Sequence, residues 1–94
     1  MKYTVSELKG MARKNRQQFH KELYREMKKS GELEEHLNSA AESTYEALKD
    51  YEGKLMKQGG YTKQQAEDTA WEVLRSEWLL LPPDEEEEEP ERPL

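Results

Sequence analysis

His36 follows Glu32 by four residues, and Glu32 and Glu35 form an E-x-x-E pair. On a helix, residues three or four apart share a face. A carboxylate and an imidazole so placed supply two metal ligands, whereas a zinc site needs at least three protein ligands. No third is indicated, and the other histidine, His20, falls at the edge of an apolar face. Glu46 and Asp50 stand one turn apart. The sequence therefore implies no metal and no cofactor.

The same carboxylates raise a hydrolase reading. All-helical pyrophosphohydrolases hold magnesium with paired acids of this kind, but their second motif needs an E-x-x-D spacing that Glu46 and Asp50 miss. Ser6, Ser30, Ser39, Ser43 and Ser76 occupy expected caps and helix faces, with no base at a suggestive spacing. Gly59-Gly60 reads as a turn, not a phosphate-binding loop. With no cysteine there is no thiolate site or cysteine nucleophile. The expectation is a protein that is not an enzyme.

Three helices are expected to carry these residues. Thr4 and Glu7 fit a capping box. Val5, Leu8, Ala12, Phe19, Leu23 and Met27 then recur on one side, predicting a helix over 5–29 with room for a break near Asn15 and Arg16. Ser30-Gly31 is the stop. A second helix over 32–57 carries Leu37, Ala41, Thr44, Leu48, Tyr51 and Leu55, a 4-3-4-3-4 heptad seam. Gly59-Gly60 ends it. Thr62 and Gln65 form another capping box and start a third helix over 63–81, with Trp71, Leu74 and Trp78 as expected core anchors. Pro82-Pro83 is expected to end that helix near Leu81, since proline lacks the amide hydrogen. The fold class is thus all-α: a three-helix antiparallel bundle over 1–83, followed by a disordered acidic tail over 84–94.

Charge gives the functional reading. The net charge of −6 equals the tail's own sum, seven acids against Arg92. The body is neutral but polarised: residues 1–31 hold nine bases and three acids, residues 32–83 five bases and eleven acids. Lys14, Lys21, Arg25 and Lys28 share a narrow face of the first helix, suited to a phosphate backbone or an acidic protein. Glu32, Glu35, Glu42 and Glu46, with Asp84, Glu85, Glu86 and Glu87, form the acidic surface. With 94 residues and 33% hydrophobic content, one small domain is marginal alone, and a partner or homodimer would support it. The longest apolar run, Leu79 to Leu81, is far short of a membrane span, and the protein is expected to be cytoplasmic.

Residues 22–43, ELYREMKKSGELEEHLNSAAES, resemble the centre of small helical proteins of transposons and phages, of the TnpV type. The likeness lies in Leu23-Tyr24, the Ser30-Gly31 turn, Glu32-Leu33 and His36-Leu37, extending through Ala70-Trp71 toward Leu81. It implies a mobile genetic element and carries over no functional residue. The functional expectation is a non-enzymatic interaction protein acting on a protein partner, for example an inhibitor of a host nuclease or defence complex. The alternative is a nucleic-acid-binding accessory protein using the basic face of the first helix.

Overall fold

The computed structural model describes residues 2–82. The expected acidic tail lies outside the described residues, as do Asp84, Glu85, Glu86 and Glu87. Every regular element among the described residues is helical: α1 (Val5–Phe19), α2 (Lys21–Ser30), α3 (Leu33–Gln58) and α4 (Lys63–Leu74).

Local signals set the starts and the turns. The Thr4 hydroxyl accepts from the Glu7 amide at 3.1 Å, and the Glu7 carboxylate accepts from the Thr4 amide at 2.9 Å. Thr62 and Gln65 repeat the arrangement at α4, at 3.1 and 3.0 Å. Each such box satisfies two amides that a helix start leaves without partners. Gly31 caps α2 with φ 83°, a left-handed conformation that a side chain would strain. Gly59 and Gly60, both at φ 85°, turn the chain from α3 into α4.

α3 is the spine, packing against each of the other three helices. Its seam is buried as its spacing predicts: Leu37, Ala41, Thr44, Leu48 and Leu55 are inside, and Tyr51 packs partly buried against them. Thr44 satisfies its hydroxyl by donating to the Ala40 carbonyl at 2.7 Å. Leu8 and Ala12 from α1, Met27 from α2, Ala70 from α4 and Leu79 complete the core. Near the start of the chain, the Tyr3 and Trp71 rings meet at 4.7 Å and Lys2 pairs with Asp68 at 2.7 Å.

Two expectations about the helices are corrected. The helix expected over 5–29 is two helices, because His20 leaves helical geometry at φ −139°, ψ 57°. Asn15, Arg16 and His20 are buried. The polar side chains thus take inward positions at the end of α1, and the chain bends there. Phe19 and Leu23, expected on the buried stripe, are each left 39% exposed. At the other end, α4 stops at Leu74 rather than near Leu81. Residues 75–80 form a turn in which the Leu80 amide donates to the Arg75 carbonyl at 2.8 Å. The prolines therefore follow a helix already ended.

That turn also revises the core anchors. Trp71 and Leu74 pack partly buried against the core, but Trp78 is 41% exposed. Leu79, its neighbour, is fully buried in its place. Unwinding after Leu74 rotates Leu79 inward and Trp78 outward, whereas a continuous helix would have kept Trp78 on the Trp71 face.

Candidate functional site: a buried arginine and a cationic groove

Arg16 is 1% exposed, unusual for a residue type that is almost never fully buried unless paired. Its guanidinium donates from Nη1 to Asn15 Oδ1 and to the Leu79 carbonyl, both at 2.6 Å. Nη2 donates to the Trp78 carbonyl at 2.8 Å and Nε to His36 Nε2 at 3.1 Å. Asn15 extends the clamp, donating from Nδ2 to the Leu81 carbonyl at 3.0 Å. Every acceptor is neutral. Burial away from water accordingly pushes the Arg16 pKa below its ordinary value. The turn after α4 has left helical geometry, so its carbonyls are available, and α1 supplies the donors. The last described residues are thereby tied to the end of α1.

His36 is not the surface histidine its place at the start of α3 suggests. It is half-buried, and burial, then the nearby Arg16 charge, hold its pKa below the ordinary 6.5. Accepting at Nε2 puts the imidazole proton on Nδ1. Ser39 and Ser43 line a cavity of about 260 Å³ with His36, Glu77, Trp78 and Leu81, and Arg16 forms part of its wall. A neutral imidazole has one acceptor nitrogen, and Arg16 occupies it. His36 so bound has no lone pair with which to activate either serine.

The His36 environment gives a signed pH dependence. Its folded pKa lies below the unfolded value of 6.5, so the unfolded chain binds more protons between the two. The stability contributed is present above pH 6.5 and is lost as pH falls through the folded pKa. The urea midpoint should therefore drop between about pH 7.5 and about pH 5.5, and His36→Gln should flatten this part of the profile.

The expected basic face is divided by the bend. Lys21, Arg25 and Lys28 of α2 line one groove of about 350 Å³ with Gln17 and Tyr24. Lys14 lines a separate one on α1 with Tyr3, Glu7, Gly10 and Met11. Gln17 donates to the Tyr24 hydroxyl at 3.0 Å, joining the two helices across the groove floor, and this bond lowers the Tyr24 pKa. Arg25 approaches Glu22 at only 3.8 Å, with both side chains mostly exposed, an arrangement that neutralises little.

Glu32, Glu35, Glu42 and Glu46 are exposed. Glu35, Glu42 and Glu46, spaced seven and four residues apart, fall on one stripe of α3, while Glu32 precedes the helix. Glu34, in the acidic first turn of α3, does the joining: it pairs with Lys9 at 2.7 Å and Arg13 at 2.9 Å, linking α1 to α3. Among the described residues, no group of three or more potential metal ligands gathers. No described helix is long and apolar enough to cross a membrane.

Comparison with models of protein families, with curated proteins and with solved structures gives no match. The residues that sequence reasoning missed are Asn15, Arg16, Gln17 and Tyr24. Only the polar pair at 15–16 left a signal, as a gap in the apolar periodicity of the first helix.

Proposed function

We propose that this protein is a non-enzymatic interaction protein that docks onto the acidic surface of a protein partner. The observation that carries this reading is the α2 groove. Three of its five lining residues, Lys21, Arg25 and Lys28, are cationic, and Gln17 and Tyr24 add hydrogen-bonding groups. Complementary charge steers encounter and fixes register, and desolvated contacts set affinity. Inhibition of a host nuclease or defence complex is one concrete form, in the mobile-element setting that the resemblance of residues 22–43 suggests.

A second reading uses the same groove for a nucleic-acid backbone, since a cationic stripe with a tyrosine hydroxyl also fits phosphates. Affinity capture from lysate, with and without nuclease treatment, separates the two. The proposed reading expects partners that survive nuclease and are lost on Lys21→Glu with Arg25→Glu, a fall in affinity of about tenfold or more. Partners released by nuclease would favour the nucleic-acid reading. Capture unaffected by the charge reversal would remove both.

A further inference from the structure

The clamp at Arg16 fixes where the chain leaves the described fold. Asn15 holds the Leu81 carbonyl at 3.0 Å, and Arg16 holds those of Trp78 and Leu79. Asn15 and Arg16 lie in the last turns of α1, immediately before Gln17, which already lines the cationic groove. Beyond Pro83 the chain reads Asp84, Glu85 to Glu89, Pro90 and Glu91. The greatest concentration of negative charge in the sequence therefore begins three residues beyond the carbonyl that Asn15 holds, while the groove formed by Lys21, Arg25 and Lys28 lies past the bend that follows α1.

The lengths let the segment reach the groove. Residues 83–91 reach at most about 30 Å when extended. Lys21 to Lys28 spans only about 10 Å along α2. Asp84 follows Leu81 by three residues, within about 10 Å of the clamp. A short tether of this kind gives an effective concentration in the millimolar range, so individually weak ion pairs suffice for substantial occupancy.

From the clamp, the tether length and the charge complementarity, we infer that the acidic segment 84–91 docks in the α2 groove of its own chain and competes there with an external anionic partner. The inference deepens the proposed function, since it rests on the groove as the binding surface and names a second occupant. The groove is then masked until a partner displaces the segment. A partner able to reach only the fraction of open molecules binds with affinity reduced by that fraction.

The sequence contains no cysteine, so Glu88→Cys gives a single attachment point for a nitroxide in the full chain. At low salt, paramagnetic broadening should concentrate on the amides of Lys21, Arg25 and Lys28. It should fade as salt shortens the screening length. Lys21→Glu with Arg25→Glu should abolish it at Lys28. Broadening centred elsewhere, or spread evenly over the surface, overturns the inference. So does broadening of equal strength when spin-labelled chain without ¹⁵N is mixed with ¹⁵N chain without the spin label, because a second copy would then supply the segment.

A functional arm uses poly-glutamate peptide as the probe. Full chain with Glu85 through Glu89 all changed to Gln should bind it about tenfold more tightly than wild type if the groove is about nine-tenths occupied. Equal affinity overturns the masking. The spin-label result does not depend on any partner, so its failure is distinguishable from a failure of the lysate capture.

Discussion

Arg16→Met is expected to lower the unfolding free energy by about 3 kcal/mol or more, within the range for breaking a buried charged network. Arg16 serves four acceptors: Asn15 Oδ1, His36 Nε2 and the carbonyls of Trp78 and Leu79. Leaving a buried polar group without its partner costs about 1–3 kcal/mol. Two effects reduce the sum: methionine buries no charge, and water entering beside Trp78 satisfies part of what is lost. For a domain of this size the net loss corresponds to a Tm lower by about 12 °C or more. Arg16→Lys should fail to rescue, because one ammonium on a shorter stem cannot span the fork of acceptors. Thermal unfolding followed by circular dichroism reads both variants. A Tm within about 2 °C of wild type for Arg16→Met would remove the clamp from the account.

The second large effect reverses the usual weight given to tryptophan. Leu79→Ala is expected to cost about 2–5 kcal/mol, the range for truncating a buried leucine. Trp78→Ala is expected to cost about 1 kcal/mol or less, despite the larger side chain. Leu79 is fully buried in the core cluster, whereas Trp78 is 41% exposed and its backbone carbonyl, which the substitution leaves in place, is what Arg16 engages. Urea titration of the two variants gives the comparison, and the opposite order would put the tryptophan in the core and the leucine outside it.

These two residues also mark the boundary of what the sequence made legible. Capping boxes at Thr4/Glu7 and Thr62/Gln65, and the glycine stops at Gly31 and Gly59, are local hydrogen-bond and dihedral requirements. They could be read without knowing what packs against what. The α3 seam was legible for a related reason: its buried residues repeat at helical spacing over the longest described helix. The bend at His20 was legible only in part: the gap at Asn15 and Arg16 left room for a break, but no proline or glycine marks its place, and the inward-turned Arg16 finds two of its partners more than sixty residues away.

The end of α4 was misread because the prolines at 82 and 83 supply a sufficient local reason to stop, while the operative one is tertiary. Turning the chain at residues 75–80 buries Leu79 and offers its carbonyl to Arg16. Of the expected basic face, Lys21, Arg25 and Lys28 stayed together because their spacing of four and three residues lies within one helix. Lys14 depended on the helix continuing through His20, and the bend placed it in a different groove. Partition of the site thus followed from the break at His20.

The clamp is most directly tested by the Arg16 guanidinium itself, observed by nitrogen-15 NMR and assigned by its loss in Arg16→Lys. A guanidinium held by four acceptors should give a separate Nε–H signal in slow exchange with water, with nuclear Overhauser contacts to Leu79 and His36. An Nε–H exchanging with water as fast as that of the exposed Arg25, with no contact to residues 78–81, would contradict it.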